Sequence, residues 1–354
     1  MPSSPFPLHS KLIQSSSAPA HALSKQVHEH YLPQLLSHDP SVHAGPTTQA
    51  EITIRNRLFN VDGFGMTWYT PTYSRFSQPT PSSTPKVHLW PALYKTIQPP
   101  LHDANFRSIC SNTASNVVFA HIRAATSTPI TPTNNHPFIF GVHTIMHNGY
   151  ISNFEKIKLK MCNQMSEEAY ANIQGGTDTE HLAALFMTYL CPSAKDWESY
   201  HSVSEMRTAL QKSIHTIISI QVATESITER APNDLNVAIT DGRSLIASRF
   251  RDHKTEQPPS LYYSTSAGVT LNRQFPDHPD DTDGPSDPSK DTKAGEEGKN
   301  SHAVRGRQEH GKHVIIASEP TTYKGEWELI EKNSIMLVEG GELIGIEKLD
   351  YTRV

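Results

Sequence analysis

Val117-Val118-Phe119-Ala120-His121-Ile122-Arg123 sets four apolar residues directly before a histidine and an arginine. A short apolar run rich in β-branched and aromatic side chains predicts a buried strand. Arg123 then stands where that strand ends, a position from which a side chain can reach a ligand. Downstream, Phe138-Ile139-Phe140 and Val142 to Met146 read as a second pair of strands, joined through Gly141 and closed by the turn pair Asn148-Gly149. Upstream, Asn60-Val61-Asp62-Gly63-Phe64-Gly65-Met66-Thr67-Trp68-Tyr69 is a glycine turn leading into an aromatic strand, and the Pro/Ser/Thr-rich residues 70–86 read as a loop.

Helical periodicity replaces alternation in three places. Leu23, Val27, Tyr31 and Leu35 line one side of a helix over 22–36, which Pro33 bends or ends. Thr177 or Asp178 can cap a helix whose apolar face is Leu182, Leu185, Phe186 and Tyr189 and which ends near Cys191-Pro192. A longer helix spans 203–224, with Val203, Met206, Leu210, Ile214, Ile217 and Ile218 at helical spacing. Strands then return: Asn236–Thr240 and Leu245–Arg249 flank Asp241-Gly242, Leu261–Ser264 and Val314–Ser318 follow, and Ile335–Val338 pairs with Leu343–Ile346 across Gly340-Gly341. This order predicts an α+β fold with two layers of sheet between outer helices. Residues 276–312 are dense in Asp, Glu, Lys, Gly, Pro and Ser, the composition of a disordered insertion.

Composition narrows the function. The 354 residues carry a formal net charge of -5, which provides no extended basic surface for nucleic acid. No apolar run is long enough to span a membrane, and residues 1–20 lack the continuous apolar segment of a secretory signal. Three cysteines, Cys110, Cys162 and Cys191, have the spacing of neither a disulfide framework nor a zinc site, so a cytoplasmic protein is expected. His121, His136, His143 and His147 cluster around the strand pair, but alternation places them on differing faces and no carboxylate spacing completes a metal site. Neither metal nor cofactor is expected.

Three residue types carry chemistry. Asn148-Gly149 can serve as a plain turn, or can offer a side-chain amide N–H and a backbone N–H to an oxyanion. Arg123 can hold a structural carboxylate or meet a substrate carboxylate in a two-pronged fork. Asp178 can cap its helix or accept hydrogen bonds from a substrate ammonium group.

Taken in order, the stretch from Asn60 to Tyr69, Phe119-Ala120-His121-Ile122-Arg123-Ala124-Ala125-Thr126, Asn135-His136-Pro137-Phe138, Met146-His147-Asn148-Gly149-Tyr150-Ile151 and Gly176-Thr177-Asp178-Thr179-Glu180-His181 resemble successive motifs of the class II glutamine amidotransferases. Within that family the chain is similar to the glutaminase-like subunit of the fungal glutathione-degrading complex, through Pro19-Ala20-His21-Ala22-Leu23-Ser24-Lys25-Gln26 and the closing Ala317-Ser318-Glu319-Pro320. The resemblance implies a four-layer αββα sandwich of the N-terminal-nucleophile hydrolase type. It makes 19–275 with 313–354 the amidotransferase domain, 1–18 an irregular tail and 276–312 an insertion. It implies that Arg123 binds the α-carboxylate of a glutamine or γ-glutamyl group, Asp178 its α-amino group, and Asn148 with Gly149 the oxyanion. His136, Pro137 and Phe138 would shape the pocket wall, and the turn from Asp62 to Gly65 would pack beneath it. A peptidase-like partner subunit is implied as well.

One departure sets the expectation for activity. Members of the family begin with Cys followed by Arg, whose thiol is the nucleophile and whose free amine is the base. Here the chain opens Met1-Pro2-Ser3-Ser4-Pro5, and no cysteine precedes Cys110. The expectation is therefore a sandwich without its first strand and nucleophile. It is either a hydrolase of a glutamine or γ-glutamyl amide or an inactive subunit that binds such a ligand and regulates a partner.

Overall fold

A computed structural model describes residues 6–7, 62–73, 87–100, 103–123, 128–224, 231–266, 313–320 and 327–350. The helix expected over 22–36 and the insertion expected over 276–312 lie outside them, and of the expected tail only Phe6–Pro7 (β1) is described. The elements that follow are β2 (Phe64–Tyr73), β3 (Val87–Thr96), α1 (Ala104–Asn112), β4 (Ala114–Ser115), β5 (Val118–Ile122), β6 (Phe138–Phe140) and β7 (His143–Tyr150). Helices α2 (Phe154–Cys162), α3 (Glu167–Ala171), α4 (Asp178–Leu190) and α5 (Val203–Val222) come next. The chain then returns to strands: β8 (Asp234–Thr240), β9 (Ser244–Arg249), β10 (Tyr262–Ser264), β11 (Ile315–Ala317), β12 (Glu328–Leu329), β13 (Ser334–Glu339) and β14 (Glu342–Lys348).

These strands make a six-stranded sheet in the order β14-β13-β9-β8-β7-β6, a three-stranded sheet β3-β2-β5, a small sheet β11-β10-β12, and the short pair β1-β4. All the pairings are antiparallel. Alternation explains the layers, because successive side chains on a strand face opposite ways. Ile145, Leu235, Val237, Ile239, Ile246, Ile335 and Leu337 pack against α2, α4 and α5, whereas Ala238, Ala247, Met336 and Val338 face the other way and meet Phe119 of β5. On the far side of the three-stranded sheet, Phe64 and Met66 pack with Phe106 and Cys110 of α1. The result is helix, sheet, sheet, helix: the expected αββα sandwich. Burying each large apolar side chain is worth about 1.5–3 kcal/mol, so the three clusters dominate stability. The Tyr69 hydroxyl ties the sheets together, donating to the Val142 carbonyl at 2.7 Å.

Several local expectations need correction. Asn148-Gly149 is not a turn; both residues lie inside β7, opposite Asn236 and Leu235 of β8. Gly149 has φ +141°, and a Cβ there would sit 2.1 Å from the Asp234 carbonyl oxygen, so close strand packing requires the glycine. Residues 70–73, read as loop, continue β2. Strand β3 was not among the expected strands; Pro91 lies within it and is tolerated because β3 is an edge strand, where the missing N–H costs no ladder bond. Thr177, not Asp178, is the N-cap of α4, its hydroxyl accepting from the Glu180 N–H at 3.2 Å.

Candidate active site

Arg123 follows β5 directly and is buried. Its backbone N–H bonds the Gly63 carbonyl at 2.9 Å, which brings the end of β5 to the turn that opens β2. The guanidinium donates to the Pro129 carbonyl at 3.2 Å, the Thr128 carbonyl at 3.4 Å and the Thr128 hydroxyl, so this loop sets its plane. Burial lowers Arg123 from its ordinary pKa, while the nearby carboxylates of Asp62 and Asp178 act against that shift.

Asp178 is the first residue of α4, where its negative charge also suits the positive end of the helix dipole. One oxygen takes the Ile151 N–H at 2.8 Å and the other its neighbour Thr179 N–H at 2.8 Å. The first bond ties the helix start to the chain just beyond β7, and so to Asn148 and Gly149. The approach to α4 is itself anchored: Glu180 receives the Gln174 and Gly175 N–H groups at 3.0 and 2.7 Å, and Asn134 receives Gly176 N–H at 3.0 Å.

Between these groups lies His147, buried on the helix-facing side of β7. Its Nε2 lies 2.8 Å from the Asp234 carbonyl, which can only accept, so Nε2 carries the proton. Burial lowers its pKa and keeps the ring neutral, leaving Nδ1 to accept from the Thr179 hydroxyl at 3.1 Å. Asn148 points the opposite way along the strand, and its Nδ2 donates to Ser318 Oγ at 3.4 Å.

The wall follows from two glycines, Gly63 just before β2 and Gly65 within it. A Cβ on Gly63 would collide with the Asn135 side chain at 2.3 Å, and one on Gly65 with the His136 carbonyl at 2.0 Å. Asn135 and His136 therefore lie directly on this strand. The His136-Pro137 peptide is cis, and the His136 ring contacts those of His121 (centroids 4.2 Å apart) and Phe138 (5.2 Å). Lys95 Nζ sits 4.5 Å over the Phe138 ring. Burial drives His121 down to about 4 and His136 well below 6.5, and lowers Lys95 to about 8, with Glu180 opposing the last shift.

The structure thus links Asp178 to the chain just beyond β7, puts its charge near Arg123, and brings His136 against Gly65 and the His121 ring. Motif order in the sequence could not reveal Lys95, Asp234 or the link from Ser318, because each is joined to these residues by tertiary packing. Clefts of about 210 Å³ beside Tyr189 and Glu205 and about 450 Å³ beside Lys160 and His215 hold none of the site residues. Among the described residues no group of three or more His, Cys, Asp or Glu is placed to hold a metal. Cys110 packs behind the three-stranded sheet, its thiol pushed up to about 12 by burial; Cys162 ends α2 and Cys191 follows α4.

Sandwich and motif order define a class, and the chain belongs to the class II glutamine amidotransferases. It is 30% identical over 292 residues to the Saccharomyces cerevisiae protein "Probable glutamine amidotransferase DUG3", covering 80% of this chain and 71% of that one. Among solved structures, a glutamine aminotransferase class-II domain protein from Silicibacter pomeroyi shares the fold with a TM-score of 0.50 at 18% identity, over 82% of this chain and 92% of that one. A predicted glutamine amidotransferase from Pseudomonas aeruginosa aligns with a TM-score of 0.41 at 16% identity, over 80% of this chain and 87% of that one. No family model matches the chain. No helix among the described residues is long and apolar enough to cross a membrane.

Proposed function

We propose that the chain binds a glutamine or γ-glutamyl amide and serves its hydrolysis. Arg123 takes the α-carboxylate, Asp178 the α-ammonium group, and Asn148 with Gly149 the oxygen of the γ-carbonyl. One observation supports this reading: Asp178 takes the Ile151 N–H at 2.8 Å just beyond the strand that bears Asn148 and Gly149, and its charge is near enough to act on the Arg123 guanidinium. An amino-acid zwitterion matches that pair, and its side-chain amide then extends toward the N–H donors. Each such donor aimed at a developing oxyanion is worth about 10²–10³ in rate. His136, Pro137 and Phe138 shape the wall. Glutathione is itself a γ-glutamyl amide and is the substrate the resemblance implies, with a peptidase-like partner subunit, in the cytoplasm, acting through a domain of residues 19–275 and 313–354. Calorimetry with glutamine and with glutathione tests the reading. Binding by the parent chain is expected to disappear in Arg123→Ala and in Asp178→Asn, and binding that survives both substitutions rules the assignment out.

A second reading, a non-catalytic γ-glutamyl-binding subunit, is favoured by the positions of the cysteines, none of which lies beside Arg123, Asn148 or Asp178. Glutamate release from glutamine separates the two readings. Release by the chain as given ends the second reading. Release only after Met-Cys-Arg and a first strand are placed ahead of it assigns the nucleophile to that segment.

A further inference from the structure

The closing segment Ala317-Ser318-Glu319-Pro320 lies far from the other motifs in sequence, and no role has so far been attached to it. Ser318 Oγ accepts the Asn148 Nδ2 proton at 3.4 Å across 170 residues of chain. We propose that Ser318 is a positioning residue, which orients the side-chain amide of Asn148 toward the γ-carbonyl oxygen of the substrate. The proposal rests on the reading of the site given above.

The contact belongs to a closed ring of links. Asn148 and Asn236 stand opposite each other on β7 and β8. Asn236 gives its Nδ2 protons to the carbonyls of Pro259 and Ser260, at 3.0 and 3.3 Å, so its amide cannot turn over without losing both bonds. Ser260 in turn donates its hydroxyl to Glu319 Oε1 at 2.9 Å. Glu319 is bonded in sequence to Ser318, which returns to Asn148. Two neighbouring strands, the 259–260 segment and the stretch after β11 are thereby held to one another.

The chemistry gives this ring a purpose. A carboxamide rotates easily about its last torsion, and its two ends are almost the same shape. Only the N–H end can stabilise an oxyanion; the oxygen end would repel it. Ser318 takes one of the two Nδ2 protons, which leaves the second in a defined direction. At 3.4 Å the bond is long and contributes little to folding, so its effect falls on orientation. Ser318 and Asn148 are both partly exposed, as groups at the edge of a ligand site must be.

The test uses the full chain and two ligands, L-glutamine and L-norvaline. Norvaline keeps the α-amino and α-carboxylate groups and lacks the carboxamide. Ser318→Ala is expected to weaken glutamine binding about fivefold, as the Asn148 amide loses its set direction, and to leave norvaline unchanged. Ser318→Thr, which keeps the hydroxyl, restores glutamine to within about twofold of the parent. Equal losses for both ligands, a threonine variant no better than alanine, or a lowered melting temperature in Ser318→Ala each overturn the positioning role. If the parent binds glutamine no better than norvaline, or if binding survives Arg123→Ala, the reading of the site falls and the positioning role falls with it.

Discussion

Arg123 and Arg249 are both buried arginines at strand ends, and they are held in opposite ways. Arg249, 1% exposed, closes β9 and donates to the carbonyls of Pro258, Pro259 and Ile330 at 2.9 to 3.0 Å. Burial lowers it to about 10. Arg123, 5% exposed, is oriented by the 128–129 loop, and the charges of Asp62 and Asp178 are near enough to oppose the effect of its burial. A cation wrapped in neutral carbonyls is a structural rivet that fastens loops to a sheet. A cation with carboxylates nearby at the end of β5 suits, in the function proposed above, a ligand that carries both charges. Sequence alone gives both residues the same description, an arginine ending an apolar strand, so only the tertiary partners separate structure from function.

The largest effect expected from this contrast is on stability. Arg249→Leu takes a donor from three buried carbonyls, of which Pro259 keeps the Asn236 amide, and is expected to cost about 4 kcal/mol in chemical denaturation. Arg123→Leu is expected to cost far less stability but to weaken glutamine binding by about a hundredfold, through loss of two charge-assisted bonds. If the two substitutions exchange these effects in paired denaturation and calorimetry measurements, the contrast is broken.

Gly149→Ala sharpens the same comparison at the backbone. A methyl group there meets the Asp234 carbonyl at 2.1 Å, and φ of +141° is foreign to alanine, so β7 must move at the point where Asn148 projects. A loss of about 2 kcal/mol in stability is expected, together with loss of the preference for glutamine over norvaline. Unchanged preference would show that the strand end does not form the γ-carbonyl subsite.

Much of the fold was legible because its signals are local. The hairpins across Asp241-Gly242 and Gly340-Gly341, and helices α4 and α5, follow from turn chemistry and from periods of 2 and 3.6. Strand β3 was not legible: Pro91 argues against a strand unless its position at the sheet edge is known. Asn148-Gly149 misled for the converse reason, since its turn chemistry is outweighed by seven register pairs between β7 and β8. Arg123, Asp178 and Asn148 could be named from motif order. Ser318 is quoted in the closing motif, but its link to Asn148 is a product of the fold and leaves no local signal.

The smallest expected effect is on pH dependence, and it too separates site from scaffold. His121 is lowered from 6.5 to about 4 and His143 from 6.5 to about 3, both through burial first, with Arg123 and His147 adding to the shift of the former and His201 to that of the latter. The unfolded chain takes up these protons below pH 6.5, whereas the folded chain refuses them until near each lowered value. Their contribution to stability is therefore complete above pH 6.5 and is lost as the pH falls toward 4. Melting temperature is expected to fall over that interval, and His143→Gln, at the Trp197 end of the sheet, is expected to flatten the fall without touching glutamine binding. His121→Gln is expected to flatten it and also to weaken binding, because His121 contacts the His136 ring in the wall of the site. Equal binding by the two variants would detach His121 from the proposed site and confine both histidines to a role in stability.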